Sequence, residues 1–380
     1  MIEFAKRIQN VEEYYFSKKL REVRELQSAG KPVINMGIGS PDLQPPTEVV
    51  TALKESLSDA LAHKYQPYIG LPAFRNAVAS FYQKRFDVSL NPSSEIIPLM
   101  GSKEGIMHIS MAFLNEGDGV LIPNPGYPTY TSVTKLVRAK SVYYNLDDAT
   151  NWQPNFNELE QLNLSNIKLM WVNYPHMPTG EKAQKETFQK LIAFGKKHSI
   201  VIVNDNPYSF ILNDNPQSIL QVEGAKEITI ELNSISKSFN MAGWRVGMLL
   251  TNENFINQIL KVKTQMDSGM FYGIQKGAIA ALNLSDDWFE SINTIYQKRR
   301  ELVWELAEKL HCTFNKSTAG MFVWAKLPAN KTTEKVVDEL LYEKDIFITP
   351  GTIFGSQGEG YIRFSLCVDE KLIKKAISRV

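Results

Sequence analysis

The stretch Glu227-Ile-Thr-Ile-Glu-Leu-Asn-Ser234-Ile-Ser-Lys237-Ser-Phe-Asn-Met-Ala-Gly-Trp-Arg245 runs from a β-branched segment into a turn dense with small hydroxyls and cations. β-Branched side chains favour extended backbone, so 227–232 reads as a strand and Ser234 to Arg245 as the turn beyond its carboxyl end. Working outward, Val120–Ile122, Lys168–Val172 and Ile200–Val203 read as further short apolar strands, with helical patterns at 103–114 and 183–198 between or beside them. That alternation predicts an α/β fold of three layers, αβα, with a mostly parallel sheet in the middle. After about residue 276 the pattern changes to a long helical stretch, 285–310, and then to shorter strands at 321–327 and 346–349. Residues 45–276 are therefore read as a large domain, and 1–44 with 277–380 as a smaller α+β domain. Residues 3–29, with Phe4, Ile8, Val11, Tyr15, Val23 and Leu26 roughly at helical spacing and Gly30 as a stop, read as one N-terminal helix.

The 380 residues are 43% hydrophobic and 22% charged, the make-up of an ordinary globular chain and not of a disordered or collagen-like one. Forty-two Lys and Arg against 41 Asp and Glu leave a net charge of +1, too little for a global field that gathers nucleic acid or anionic membrane. The two cysteines, Cys312 and Cys367, match no metal-ligand spacing. Buried thiols in a reducing compartment are expected, with a disulfide as the lesser alternative. No apolar run nears the ~18 residues of a membrane helix, and the opening residues mix acids with bases around no apolar signal core. A cytoplasmic protein without metal, membrane or nucleic-acid partners is expected.

Open α/β sheets bind ligands beyond the carboxyl ends of their strands, so the residues just past each strand carry the chemistry. Lys237 alone would pass for a solvated loop lysine, but two serines, a glycine and Arg245 accompany it. Small hydroxyls and a guanidinium make a phosphate receptor, and a lysine beside one can form an imine with an aldehyde on the same ligand. Asp205, in Val203-Asn-Asp-Asn-Pro-Tyr208, is either a turn residue before proline or a carboxylate for a protonated ring nitrogen, with Tyr208 near the same ring. Gly101-Ser-Lys-Glu-Gly105 opens a helix with free N–H groups, a general anion site; the chain holds no G-x-G-x-x-G and no full phosphate-loop pattern. Asn173-Tyr-Pro-His-Met-Pro-Thr-Gly180 and Pro125-Gly-Tyr127-Pro are turns stiffened by proline. Arg363, in Tyr361-Ile-Arg-Phe-Ser365, is either an edge-strand residue or a buried partner for a carboxylate.

In this order the motifs resemble the fold-type-I, pyridoxal-phosphate-dependent aminotransferases of classes I and II, over about residues 30–368, with SISKSFNMAGWRVG the strongest match. The resemblance implies that Lys237 bonds the cofactor and shuttles the Cα proton, that Asp205 keeps the pyridine nitrogen protonated, and that Tyr208 hydrogen-bonds the phenolic oxygen. It further implies that Tyr127 stacks on the ring, that Ser102, Lys103, Ser234 and Arg245 hold the phosphate, and that Asn173 lies at the cofactor. Arg363 would bind the substrate α-carboxylate, with Gly39 and Tyr14 beside the substrate. Tyr65 would reach a phosphate across the interface of a homodimer.

One position departs from the family pattern. Where Asn usually precedes Pro-Thr-Gly and donates to the phenolic oxygen, this chain has Met177. A thioether cannot donate, so altered pH behaviour of the cofactor is expected unless water, His176 or Asn173 compensates. Gly-Ser-Lys-Glu-Gly, Tyr14-Tyr-Phe16 and the segment Lys263 to Phe271 resemble the LL-diaminopimelate and aspartate aminotransferase branch. That likeness points to LL-diaminopimelate or a related dicarboxylic substrate, with glutamate and 2-oxoglutarate as the partner pair. Two rivals stand beside it. A carbon–sulfur β-lyase on cystathionine-like substrates would use the same cofactor residues. An aminotransferase-like sensor would need a basic DNA reader, which the net charge of +1 does not supply.

Overall fold

The computed structural model describes residues 2–9, 11 and 13–380. After a short β1 (Ile34–Asn35) come seven strands of one sheet: β2 (Ile96–Leu99), β3 (Gly119–Asn124), β4 (Lys140–Asn145), β5 (Ile167–Val172), β6 (Val201–Asp205), β7 (Thr229–Ser234) and β8 (Gly247–Leu250). Their spatial order is β2-β8-β7-β6-β5-β3-β4. The run from β7 to β4 is parallel, whereas β8 is antiparallel to both neighbours. The expected strands fall within a few residues of their sequence positions. The strand expected at 227–232 starts later, because residues Ala225–Glu227 close a 3-10 turn.

Side chains alternate across a strand, and both faces of this sheet are covered. Ile97, Leu99, Val120, Ile122, Leu169 and Val203 pack with Ile106, Ile109, Tyr130 and Ile259 of the helices on one side. Leu121, Met170, Val172, Ile202 and Met248 pack with Phe74, Val78, Leu191 and Ala278 on the other. The sheet is thus the middle of three layers, and double burial explains the near-continuous apolar runs that marked its strands.

Past the helix Asp286–Lys309 lie β9 (Thr313–Phe314), β10 (Phe322–Lys326), β11 (Ile346–Phe347), β12 (Thr349–Pro350) and β13 (Tyr361–Ser365). β12-β13-β10-β9 form an antiparallel sheet, and β1 pairs in parallel with β11. Arg363 therefore stands on an inner strand, opposite Trp324 and Thr349, which removes the edge-strand reading.

The N-terminal helix is shorter than its spacing predicts. It spans Tyr15–Ser28, preceded by a 3-10 turn at Lys6–Ile8. Phe4 and Ile8 are exposed and Val11 is only half-buried, so the apolar pattern ahead of Tyr14 buries little, and tertiary burial is what sustains most short helices. Both cysteines are free and buried. No described helix is long and apolar enough to cross a membrane.

Candidate active site

The carboxyl ends of the parallel strands open onto one cavity of about 360 Å³. β3 leads to Tyr127, β5 to Asn173 and Met177, β6 to Asp205 and Tyr208, and β7 to Ser234 and Lys237; β2 leads to Ser102 and Lys103. Gly39, Tyr14, Arg245 and Arg363 line the same space. Tyr65 does not, and is 91% exposed.

One end is a cradle for an anion. Gly101, at φ 84°, precedes the helix Ser102–Phe113. A Cβ there would meet Arg245 Nη2 at 2.0 Å, and one at Gly247 would come within 2.6 Å of the Ser102 nitrogen. The two glycines let the guanidinium and β8 close against the helix start, whose first N–H groups have no intrahelical acceptor. The hydroxyls of Ser234 and Ser236 lie 2.8 Å apart nearby. Free N–H groups, a guanidinium and hydroxyls together suit a phosphate. The ammonium of Lys103 points elsewhere, resting 4.4 Å from the centre of the Tyr14 ring, so its share in the cradle is its backbone N–H.

At the bottom, the Asp205 carboxylate is buried. Its Oδ2 accepts from the Tyr130 hydroxyl at 3.0 Å while Oδ1 has no partner. Burial raises its pKa to about 7, against the opposing hydrogen bond from Tyr130. Sequence reasoning missed Tyr130. It stacks on Trp171 at 4.8 Å and starts one turn after Tyr127, and that spacing was its only signal. Asn173 ties the loops together: its Oδ1 accepts from the Met177 amide at 2.8 Å and its Nδ2 donates to the Asp205 carbonyl. His176 is buried beside Thr179, does not line the cavity, and is kept neutral by burial, its pKa near about 3. Tyr208 packs edge-on to Phe322, and burial pushes its phenol up, so it remains a proton donor.

Two cations complete the site. Lys237 Nζ donates to the Gly39 carbonyl at 2.5 Å, and burial lowers its pKa toward the neutral, nucleophilic amine. Arg363 is 3% exposed. Its Nη2 donates to the Gly37 carbonyl at 2.8 Å, its Nη1 to Met177 Sδ at 3.3 Å, and its Nε has no partner. Phe322 and Phe354 flank the guanidinium, with ring centres 3.9 and 4.7 Å away. Burial, with no carboxylate beside it among the described residues, draws its pKa down to about 10.

The family profile for aminotransferase class I and II matches residues 31–380. LL-diaminopimelate aminotransferase of Dehalococcoides mccartyi (strain 195) is 39% identical over 381 residues, spanning 100% of this chain and 98% of its own. The enzyme of that name from Aquifex aeolicus is 38% identical, spanning 100% and 99%. Among solved structures, substrate-bound BacF from Bacillus subtilis matches at TM-score 0.95 and 34% identity over 100% of this chain and 97% of that one. A double mutant of Thermus thermophilus aspartate aminotransferase, at TM-score 0.92 and 24% identity over 100% and 99%, shares the fold.

The chain belongs to the aminotransferase class I and II family. It is a pyridoxal-phosphate-dependent transaminase. The residues fit that cofactor. The orphaned Asp205 oxygen suits a protonated pyridine nitrogen, the cradle suits the phosphate, and the buried Lys237 amine, its pKa lowered by burial, suits the aldehyde.

Proposed function

We propose that this transaminase moves the amino group of an L-amino acid to a 2-oxo acid with glutamate and 2-oxoglutarate as one pair. LL-diaminopimelate, for which the end-to-end relatives are named, and aspartate are the first candidates for the other. The observation that carries the reading is Arg363, a buried guanidinium without a carboxylate among the described residues, in the same cavity as Lys237. Such a cation is a receptor for the α-carboxylate of an amino acid.

Pyridoxal 5′-phosphate, when bound, supplies an electron sink that makes a Cα proton removable. The chain does the rest. Arg363 grips the α-carboxylate, and Lys237 Nζ, as a free neutral amine, takes the Cα proton and returns it. Asp205 gives the ring nitrogen its counter-charge, Tyr208 donates to the phenolic oxygen and Tyr127 packs on the ring. Ser102, Lys103, Ser234 and Arg245 hold the phosphate, Asn173 fixes the loops at the cofactor, and Gly39 and Tyr14 border the substrate. Tyr65 serves the other subunit of a homodimer, a reading supported by its 91% exposure. We divide the chain into a large domain, 45–276, and a small one, 1–44 with 277–380. Two buried free thiols support a cytoplasmic location.

The test is the absorbance spectrum of the holoenzyme. L-Glutamate is expected to convert the visible band of the bound cofactor to a near-ultraviolet one, and LL-diaminopimelate to do the same. A visible band indifferent to amino acids, with pyruvate released from cystathionine in the absence of an oxo acid, would replace the transaminase by the β-lyase. Light scattering of the active protein at monomer mass would remove the homodimer.

A further inference from the structure

Glu231 is a fully buried carboxylate that the chemistry above leaves unused, and it does not line the cavity. It stands on β7 opposite Asn204 of β6. Side chains alternate across a strand, so Glu231 and Asn204 lie on the face of the sheet opposite to Asp205. Glu231 Oε1 accepts from the Tyr82 hydroxyl at 2.8 Å, the Ser218 hydroxyl at 2.9 Å and Asn206 Nδ2 at 3.5 Å. Oε2 accepts from the Ile219 amide at 3.0 Å and from Asn204 Nδ2 at 3.2 Å. Burial raises the pKa of this carboxyl, and these hydrogen bonds oppose the rise.

A buried charge costs stability, but only a carboxylate accepts at both of its ends, and here donors arrive at both. They converge from three strand ends. Asn204 and Asn206 bracket Asp205 in the chain. Asn204 Oδ1 accepts from the Tyr174 amide at 3.2 Å, just beyond β5. Asn206 Oδ1 accepts from the Ser209 hydroxyl, next to Tyr208. The Tyr82 hydroxyl in turn accepts at 2.9 Å from Nδ2 of Asn233, which precedes Ser234 on β7. One carboxylate thus pins the chain on both sides of Asp205, at the point where it leaves the sheet.

We propose that Glu231 is a positioning residue for Asp205. From the far face of the sheet it fixes, through Asn204 and Asn206, the backbone that aims the Asp205 carboxylate at the ring nitrogen of the cofactor. The inference rests on the role of Asp205 in the transaminase reading above. Glu231 itself touches neither cofactor nor substrate.

Glu231→Gln tests this with little change of shape. Its carbonyl can stay with Ile219 and Asn204, and its NH2 group can donate to the Tyr82 and Ser218 hydroxyls, which rotate to accept. The link to the Asn206 amide is lost. Calorimetry on cofactor-free protein measures binding of pyridoxal 5′-phosphate and of its 1-deaza analogue, in which carbon replaces the ring nitrogen. Affinity for pyridoxal 5′-phosphate is expected to fall roughly 10-fold in the variant, the worth of a weakened hydrogen bond between charged groups. Affinity for the analogue is expected to be unchanged, because it offers Asp205 no nitrogen to hold. With L-glutamate, kcat of the holoenzyme is expected to fall roughly 10-fold, the order of effect of a small misplacement, with KM unchanged. Asn206→Ala removes the same link and is expected to reproduce these effects, and it decides the matter should Glu231→Gln fold poorly. Equal losses of affinity for cofactor and analogue overturn the proposal. So does a lower melting temperature with cofactor affinity and kcat intact, which would leave Glu231 as an acceptor that only holds the fold. If no amino acid changes the spectrum of the wild type, the transaminase reading fails, and the two affinities still decide the role of Glu231.

Discussion

Arg299 and Arg363 are equally buried, at 3% exposure each, yet their surroundings are opposite. Arg299 grips Asp42 with both terminal nitrogens, at 2.6 and 2.9 Å. Burial alone would lower its pKa, and the hydrogen-bonded carboxylate more than offsets that. Among the described residues, Arg363 meets a carbonyl, a hydroxyl, a thioether and aromatic rings and no carboxylate. Lysines repeat the contrast: buried Lys263 bonds Asp267 at 2.5 Å, while Lys237 has a backbone carbonyl. Arg299 and Lys263, which hold the fold, are paired with carboxylates, and Arg363 and Lys237 in the cavity are not. The unpaired ones store unfavourable electrostatic energy that an anionic or electrophilic ligand relieves, and this is how a site announces itself without a ligand present.

The strongest way to break this comparison is at the lysines. Lys237→Ala is expected to slow single-turnover amino transfer on the order of 10²–10⁴-fold or more, the range for losing a positioned proton carrier. Lys263→Ala is expected to lower the melting temperature instead. Comparable rate losses in the two variants would erase the distinction.

Asp205 extends the idea to the opposite charge. Its folded pKa of about 7 lies above the ordinary carboxyl value of 3.8, so the folded protein keeps a proton that the unfolded chain releases. The contribution of this group to the stability of the cofactor-free protein should therefore be fully present below about pH 4 and be lost as pH rises to about 7, by ~4 kcal/mol. Denaturant unfolding across that range should show the decline in wild type, with Asp205→Asn lacking this component. Parallel curves for the two proteins would mean that the buried carboxylate is already satisfied.

The arginines give a smaller, two-sided test. Arg299→Met strands a partly exposed Asp42 and is expected to reduce unfolding free energy by about 3 kcal/mol, the low end for a broken buried pair. Arg363→Met removes an unpaired cation. It is expected to preserve or raise stability while reducing kcat/KM by roughly 30-fold or more. Equal destabilisation of both variants would show that neutral partners hold Arg363 as firmly as a carboxylate holds Arg299.

Met177 offers the finest adjustment. Its sulfur faces Arg363, the Asn173 oxygen is engaged by the Met177 amide, and His176 lies outside the cavity. Met177→Asn restores one donor and is expected to lower the midpoint of the cofactor's absorbance titration by up to about one pH unit, one hydrogen bond's worth. Superimposable titrations would show that position 177 does not touch the cofactor's electronics.

The sheet and the strand-end residues were legible because both obey local rules. Burial on two faces leaves apolar runs such as Ile200–Val203, and ligand chemistry gathers at their carboxyl ends. β8 was not legible, since its four residues come after a turn without periodicity of their own. Nor was the pairing state of any arginine, because Asp42 and Arg299 are distant in sequence. Gly39 is similar: the family resemblance implies a place beside the substrate. Only the structure shows that a Cβ there would lie 2.2 Å from the Phe322 ring.

The receptor proposed for the carboxylate is stitched from the two ends of the chain. Arg363 leans on Gly37, Thr349 donates its hydroxyl to the Gly37 carbonyl at 2.7 Å, and the Ser365 amide donates to Met36 at 2.7 Å. A ribosome releases the chain from its N-terminus, so the seven-stranded sheet is complete at Leu250 while Gly37 still awaits its partners. Limited proteolysis of arrested nascent chains is expected to find that sheet protected before residues 34–39 are. In the life of each molecule, the power to hold a cofactor is then older than the power to choose a substrate.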